Sequence, residues 1–395
     1  MISHPEALKK VLETITNFGT EKVALLESVN RILAEDIFAD RDFPPFDRVT
    51  KDGIAVNSKA LENGETAFKI EAVYAAGSPQ GLLNDPENCV EIMTGAMLPK
   101  NCDSVIMYED VEIEDGIATL QTEVKAKINI HRKGSDRKRG EKILSKNQRI
   151  SAKEIGVLAT VGKAEVLVKK LPKIAIISTG DELVDVAETP LPHQIRTSNT
   201  LSLFAALEKE KITPTLLHIR DEKEVMLRQV ENAIDNHDVL LLSGGVSKGK
   251  FDYLPEILGE LKVEKIFHRV LQRPGKPLWF GKQYEKNVTV FSFPGNPNST
   301  FVNFHIYFKK WLDKSFEVES ALSEVILKAD IANNPNITRF LLVKTKVQNG
   351  QFQAELLNEN GSGDLISLAN ADGIIVLPPE KDFKQGDMVE FVGFL

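Results

Sequence analysis

The feature that most constrains the fold is an apolar run at residues 239–242 that leads directly into a glycine-rich segment at 243–253. Four consecutive aliphatic residues before paired glycines are typical of a strand that is buried on both faces of a parallel sheet. A glycine-rich turn leaving such a strand presents backbone N–H groups where open α/β sheets bind phosphorylated ligands. The segment therefore predicts an α/β domain with an anion-binding edge.

Two further loops rich in glycine and proline each follow a strand-like run. Residues 273–277 follow a run at 265–271, and residues 294–299 follow a run at 287–293. Each loop taken singly is most simply a turn, because Gly and Pro mark turns in every class of protein. The carboxyl ends of neighbouring parallel strands meet at one edge of a sheet, so we expect the three loops to form one pocket.

Beyond Pro172, strand-like runs alternate with amphipathic helical segments. This alternation predicts parallel βαβ units, with helices on both faces of one mainly parallel sheet. The predicted strands lie at residues 174–177, 215–219, 239–242, 265–271 and 288–292, and the predicted helices between them include 199–210 and 222–236.

The remainder of the chain predicts smaller, mainly β parts. Residues 5–18 have the apolar spacing of an amphipathic helix, and residues 151–159 begin with a capping-box signature for a short helix. Short β-like runs between turn residues predict a mainly β insert within 44–139. Residues 323–395 contain strands without helices, which indicates a small C-terminal β barrel or sandwich. The fold class is therefore multidomain α/β plus β.

Composition excludes several functional classes. A chain of 395 residues implies two to four domains, and a net charge of −8 argues against general nucleic-acid binding. The two cysteines, Cys89 and Cys102, lack the spacing of a zinc site or a disulfide scaffold. No apolar leader and no run of about 18 apolar residues occur, so we expect a cytoplasmic protein without a membrane span.

Six motifs, in order, resemble those of the molybdopterin molybdenumtransferases, a family that includes the E domain of gephyrin. Three are the loops described above. The other three are Lys-Asp-Gly-Ile-Ala-Val at 51–56, Thr-Gly-Ala-Met-Leu-Pro at 94–99 and Ser-Thr-Gly-Asp-Glu-Leu at 178–183. The resemblance runs along nearly the whole chain.

The resemblance implies an elongated protomer of four domains that works as a homodimer. Its α/β domain would be related to the molybdopterin adenylyltransferases and would bind molybdopterin. The implied division is an α/β domain at 1–20 plus 171–320, a linking and dimerisation domain at 21–43 plus 140–170, a mainly β insert at 44–139 and a C-terminal β barrel at 321–395.

The resemblance also implies the reaction, a Mg²⁺-dependent insertion of molybdate into adenylylated molybdopterin with release of AMP. It makes the preceding molybdopterin adenylyltransferase a candidate partner. Mg²⁺ prefers oxygen ligands with few carboxylates and several waters, and Asp221 and Asp252 are the candidate ligands. The implied catalytic acids are Asp52, Asp136, Glu182, Asp221 and Asp252. The implied substrate-binding residues are Thr94, Gly244, Gly245, Ser247, Arg269, Arg273, Lys276, Ser299, Arg339 and Ser362.

Simpler roles compete for some of these residues, and other functions compete for the chain. Asp52 before Gly53 is typical of a turn, and Asp221 with Glu224 has the spacing of a helix cap. The alternative functions are adenylyl transfer from ATP to molybdopterin, which uses the same kind of α/β domain, and a non-enzymatic scaffold like the receptor-binding domain of gephyrin.

Overall fold

The computed structural model describes residues 1–245, 253–318, 323–332, 336–358 and 361–394. The chain divides into two compact units. The first unit contains Met1–Ala34, Asn147–Ser151 and Val166–Leu395, and the second contains Glu35–Lys146 and Ala152–Glu165. The division into four domains stays a prediction.

The described residues form strands and helices with the following bounds. The strands of the first half of the chain are β1 Ile2–Ser3, β2 Thr20–Ala24, β3 Ile37–Phe38, β4 Arg48–Val49, β5 Gly53–Val56, β6 Ala67–Tyr74, β7 Cys89–Ile92, β8 Ser104–Met107, β9 Val111–Glu114, β10 Ile117–Leu120, β11 Ile130–His131, β12 Lys142–Leu144 and β13 Glu165–Lys169. The strands of the second half are β14 Ile174–Thr179, β15 Leu183–Val184, β16 Ile195–Arg196, β17 Thr215–Ile219, β18 Val239–Ser243, β19 Glu264–His268, β20 Val270–Arg273, β21 Trp279–Gln283, β22 Val288–Phe293, β23 Ser323–Leu327, β24 Thr338–Gln348, β25 Gln351–Leu356, β26 Gly373–Leu377 and β27 Met388–Gly393. The helices are α1 His4–Leu12, α2 Ser58–Glu62, α3 Ala152–Thr160, α4 Asn199–Lys209, α5 Lys223–Asn236, α6 Leu254–Glu260, α7 Pro297–Asn303, α8 Lys310–Ser315 and α9 Leu365–Asn370, with a π-helical segment Phe304–Lys309 between α7 and α8.

A six-stranded sheet in the order β17-β14-β18-β22-β21-β19 forms the centre of the first unit. Its first four strands are parallel, and β21 and β19 are antiparallel at one edge. Every residue of β14, β18 and β22 is buried, as expected for a sheet that is covered by helices on both faces. Ile176 and Leu241 pack with α4 and α8 on one face. Ile177 and Leu242 pack with α5 and α6 on the other face, which confirms the predicted α/β domain.

The single strand predicted at residues 265–271 is wrong. The chain breaks at Arg269, whose φ of 74° is left-handed, and β19 and β20 lie on either side of it. β19 is an antiparallel edge of the α/β sheet, whereas β20 belongs to the C-terminal sheet. Apolar periodicity carries no signal for a left-handed arginine, so the pattern alone joined two strands that belong to different sheets.

The C-terminal part of the first unit is a closed barrel. Its strands follow the order β24-β25-β23-β27-β26, and a direct pairing of β24 with β26 closes the ring. β20 and β1 extend this sheet beyond β24. The predicted barrel is confirmed, but the expectation that the region lacks helices is wrong because α9 follows β25. The side chain of Asp364 caps α9 by accepting hydrogen bonds from the N–H groups of Ile366 and Ser367.

The second unit contains the mainly β insert that the sequence predicts. Its six-stranded sheet has the order β8-β5-β7-β6-β10-β9. Side chains alternate between the two faces of this sheet: Ala55 and Val90 pack into one buried cluster, and Ile54 and Ile106 pack into the other. Across the part of the chain that is described, every helix is too short or too polar to cross a lipid bilayer.

Candidate active site

A cavity of about 400 Å³ lies at the carboxyl ends of three parallel strands of the α/β sheet. We name it the strand-end cavity. Thr179 and Gly180 line it at the end of β14, and Gly244 and Gly245 line it after β18. Asn296, in the loop after β22, also lines it. Two of the three predicted loops therefore meet at one edge of the sheet, where open α/β sheets bind their ligands.

The glycine turn after β18 has little space for side chains. Gly244 has a φ of 102°, and a Cβ atom there would lie 3.0 Å from Oγ1 of Thr179. Glycine is thus required at this position both by the left-handed backbone and by the close approach of β14. Ser247 and Asp252, which belong to the same predicted loop, lie outside the described residues.

Two of the predicted catalytic acids line the strand-end cavity. Glu182 follows β14 and Asp221 follows β17. The carboxylate of Glu182 folds back toward Gly180, where an added Cβ atom would lie 2.3 Å from Oε2. The N-cap residue of α5 is Glu222 and not Asp221, and the side chain of Glu222 makes no capping hydrogen bond.

Two residues of the strand-end cavity were missed by the sequence reasoning. Nδ2 of Asn199 donates hydrogen bonds to Oγ of Ser243 at 2.9 Å and to the carbonyl of Gly295 at 2.8 Å, so Asn199 joins the end of β18 to the loop after β22. Arg196 also lines the cavity. The available signal was the polar run Arg-Thr-Ser-Asn at 196–199, which ends at the first residue of α4.

The predicted cations occupy a different place from the one expected. We name residues 273–277 the cation loop. This loop begins at the end of β20, a strand of the C-terminal sheet. The expectation that all three loops lie at one edge of the α/β sheet is therefore wrong. The strand-end cavity is not lined by Arg269, Arg273 or Lys276. Instead, β20 pairs in parallel with β24 and places Arg273 opposite Arg339. One terminal nitrogen of Arg339 donates to the carbonyl of Ala332 at 3.1 Å. Arg binds oxyanions with a planar fork of donors.

The loop after β22 connects the strand-end cavity with the C-terminal part. Nδ2 of Asn296 donates to Oγ of Ser362 at 2.8 Å, and the N–H of Asn298 donates to the Ser362 carbonyl at 3.1 Å. The turn around Ser362, a predicted substrate-binding residue, is thus in contact with the predicted loop at 294–299. Ser299 is buried in the first turn of α7 and does not line the cavity.

The cation loop is joined to the same helix. Asn303, the last residue of α7, donates from Nδ2 to the carbonyl of Gly275 at 3.1 Å. A Cβ atom on Gly275, whose φ is 83°, would lie 2.6 Å from the Asn303 amide. Since α7 begins at the strand-end cavity with Pro297, one short helix contacts both the cavity and the cation loop.

The remaining predicted residues belong to the second unit. The N–H of Thr94 donates to Oδ1 of Asp52 at 2.6 Å, and this hydrogen bond lowers the pKa of the Asp52 carboxyl below its ordinary value. Asp136 accepts a hydrogen bond from Nε2 of His131 at 2.8 Å. Asp52 and Thr94 therefore form one local pair, and Asp136 forms another with a residue that was not predicted.

Comparison with known protein families covers nearly the whole chain. Residues 2–162 match the family model described as "MoeA N-terminal region (domain I and II)". Residues 175–314 match "Probable molybdopterin binding domain", and residues 324–394 match "MoeA C-terminal region (domain IV)". The order of these matches follows the order of the parts described above.

Individual relatives agree with the family matches. The chain is 38% identical to a molybdopterin molybdenumtransferase of Synechocystis sp. over 99% of each chain. It is 33% identical to one of Staphylococcus aureus, over 98% of this chain and 94% of that protein. A crystal structure of the molybdopterin biosynthesis MoeA protein from Pyrococcus horikoshii OT3 superposes with a TM-score of 0.83 at 27% identity, covering 100% of both chains. The chain therefore belongs to the molybdopterin molybdenumtransferase (MoeA) family.

Proposed function

We propose that this protein inserts molybdate into adenylylated molybdopterin and releases AMP. The observation that carries the proposal is the hydrogen-bonded loop at 294–299, which contacts both an acidic cavity at the strand ends and the Ser362 turn of the C-terminal part. A phosphoanhydride substrate and an oxyanion that react together need neighbouring binding sites, and this loop joins two such candidate sites. The names of the relatives, molybdopterin molybdenumtransferase, support the transfer of molybdenum to molybdopterin, and the release of AMP is part of the proposal.

The strand-end cavity is the proposed site of the adenylylated end of the substrate. The backbone of Gly244 and Gly245 suits an approaching phosphate because no side chain intervenes. Cleavage of the phosphoanhydride adds water across the bond, so that AMP leaves and a phosphate remains on the pterin. A carboxylate of the cavity, Glu182, would accept the proton that the water loses.

The same carboxylates suit magnesium. Mg²⁺ binds through one or two carboxylates together with substrate phosphates and retained waters, and Glu182 and Asp221 provide oxygen donors in one cavity. We propose Asp221, which lines the cavity, and Asp252, which lies outside the described residues, as the ligands of Mg²⁺. When bound, Mg²⁺ would neutralise negative charge on the phosphoanhydride.

The paired arginines are the proposed site of molybdate. Arg273 is exposed and Arg339 is partly exposed, and their parallel register places two guanidinium-bearing residues side by side. Exposed Lys276 adds a third positive charge in the same loop. We include Ser362 as a proposed substrate-binding residue, and its turn is held by Asn296 beside the strand-end cavity.

AMP release from adenylylated molybdopterin, with Mg²⁺ and molybdate present, tests the proposal. We expect the wild-type chain to release AMP, and Asp221→Asn and Asp252→Asn to lose at least about 100-fold in rate, the scale on which charge-stabilising groups act. Glu231→Gln, on the exposed face of α5, is the matched control and should keep wild-type activity. Equal AMP release by all four proteins would refute the roles of the two acids. Consumption of ATP that depends on molybdopterin would instead identify the adenylyl-transfer step.

We further propose that the enzyme is a cytoplasmic homodimer. Cys89 and Cys102 are buried free thiols, and burial raises the pKa of each to about 12, so neither forms a reactive thiolate near neutral pH. Two such thiols suit a reducing compartment. Light scattering during gel filtration should give twice the chain mass of 43.9 kDa, and a peak at the mass of one chain would contradict the dimer.

A further inference from the structure

Arg196 is an exposed residue that local contacts position. It ends β16, which pairs in parallel with β15 so that Val184 lies opposite Arg196. The N–H of Thr197 donates to the carbonyl of Val184 at 2.9 Å. The Nε atom of Arg196 donates to the carbonyl of Glu188 at 3.0 Å. Both its backbone and the first nitrogen of its guanidinium group are therefore held.

The outer part of the same guanidinium group is not engaged by the described part of the chain. The hydrogen bond from Nε is the one found there for this guanidinium group, and no ion pair with a carboxylate is found for it among the described residues. An arginine that is held through Nε keeps four N–H donors at its two terminal nitrogens. This fork matches the oxygen spacing of a phosphate group.

Arg196 is also distinguished by its charge. It is the one cation among the described lining residues of the strand-end cavity, which include the acidic Glu182 and Asp221. Arg269, Arg273 and Lys276 do not line it. An anionic ligand of this cavity thus has Arg196 as the positive side chain that the described chain supplies.

We propose that Arg196 binds a phosphate group of the ligand in the strand-end cavity, as a specificity-determining residue for the adenylylated substrate and for AMP. The proposal deepens the function proposed above and rests on it. The pair of terminal amino groups grips the phosphate, while Gly244 and Gly245 let it approach the backbone. A ligand without a phosphate group gains no hydrogen bond from the terminal nitrogens of Arg196.

The test compares AMP with adenosine by isothermal titration calorimetry on the full-length chain. For Arg196→Ala we expect AMP binding to weaken about 10- to 100-fold, the range for charge-assisted hydrogen bonds. Arg196→Lys should recover only part of this loss because a point charge replaces the fork. Adenosine should bind the wild type and Arg196→Ala equally. Arg228→Ala, which removes an exposed arginine of α5 outside the cavity, should bind AMP like the wild type.

Three outcomes would overturn the role of Arg196. They are unchanged AMP affinity in Arg196→Ala, an equal loss for AMP and adenosine, and absence of AMP binding by the wild type. The proposed function is judged separately by AMP release from adenylylated molybdopterin. A wild type that releases AMP, together with an Arg196→Ala variant that binds AMP normally, would refute Arg196 alone. A wild type that binds AMP through Arg196 but releases none from the substrate would refute only the reaction.

Discussion

The hydroxyl of Tyr307 donates a hydrogen bond to Oε1 of Gln272 inside the first unit. Nδ1 of His4 lies 2.9 Å from the same hydroxyl, and Nε2 of Gln272 donates to Oδ1 of Asn303 at 2.7 Å. All four side chains are buried. Because Asn303 in turn donates to Gly275, a continuous polar chain links the N-terminal helix to the cation loop.

Removing the Tyr307 hydroxyl should destabilise the fold. In Tyr307→Phe the buried Oε1 of Gln272 and Nδ1 of His4 lose their partner, and an unsatisfied buried polar group costs about 1–3 kcal/mol. Urea unfolding should show this loss in the free energy of unfolding. Tyr284→Phe, at a position that is 58% exposed, is the control and should change it by less than about 0.5 kcal/mol. A Tyr307→Phe variant as stable as that control would contradict the network.

Stability should fall in mild acid because of His4. Burial, with a smaller contribution from Lys310, lowers the pKa of His4 from 6.5 to about 4. The unfolded chain therefore takes up a proton near pH 6.5 while the folded chain stays neutral, so stability is complete above pH 6.5 and is lost progressively down to about pH 4. The His4 contribution to this loss is on the order of 3 kcal/mol.

A His4→Asn variant isolates that contribution. Its amide nitrogen can donate to Tyr307 in place of Nδ1, yet it does not titrate. Between pH 7 and pH 4, thermal unfolding of the variant should depend less steeply on pH than that of the wild type, even though other groups titrate in both. Parallel pH profiles would show that His4 is not held neutral.

Gly275→Ala should destabilise the cation loop. The substitution forces a Cβ atom onto a left-handed residue and to within 2.6 Å of the buried Asn303 amide, and we expect a loss of about 2–4 kcal/mol. Gly259→Ala is the matched control. Gly259 lies in α6 with open space around it, so alanine there should stabilise by about 0.5–1 kcal/mol. Similar effects of the two substitutions in urea unfolding would contradict the packing of Gly275 on Asn303.

Removing the Arg339 side chain should weaken the binding of molybdate. If Arg273 and Arg339 hold the oxyanion together, Arg339→Ala should raise the molybdate concentration for half-maximal cofactor formation about 10-fold or more, as expected for lost charge-assisted hydrogen bonds. AMP binding, measured separately, should not change. Lys346→Ala removes an exposed cation from the same strand, β24, and should leave the molybdate dependence intact. If cofactor formation depended on molybdate concentration in the same way in both variants, the result would argue against an oxyanion site at the paired arginines.

Local patterns were sufficient for many of the elements and for part of the site, although they joined β19 to β20 and missed α9. The apolar run before Ser243 is a buried strand, and Gly244 and Gly245 follow it at the strand-end cavity, as predicted. Glu182 and Asp221 reach that cavity because they also follow parallel strands. Strand direction and strand ends can be inferred from sequence since apolar periodicity and turn residues are local properties of the chain.

The sequence by itself determined an α/β sheet with an acidic, glycine-lined edge, a β insert and a terminal barrel. The tertiary structure alone decided that β20 joins the barrel sheet, so that Arg273 lies opposite Arg339 and not at the cavity. It also brought Ser362 to Asn296 and Arg196 to the strand-end cavity. These relationships depend on a left-handed Arg269 and on pairing between strands far apart in the chain, and no local periodicity records which distant strand a residue will face.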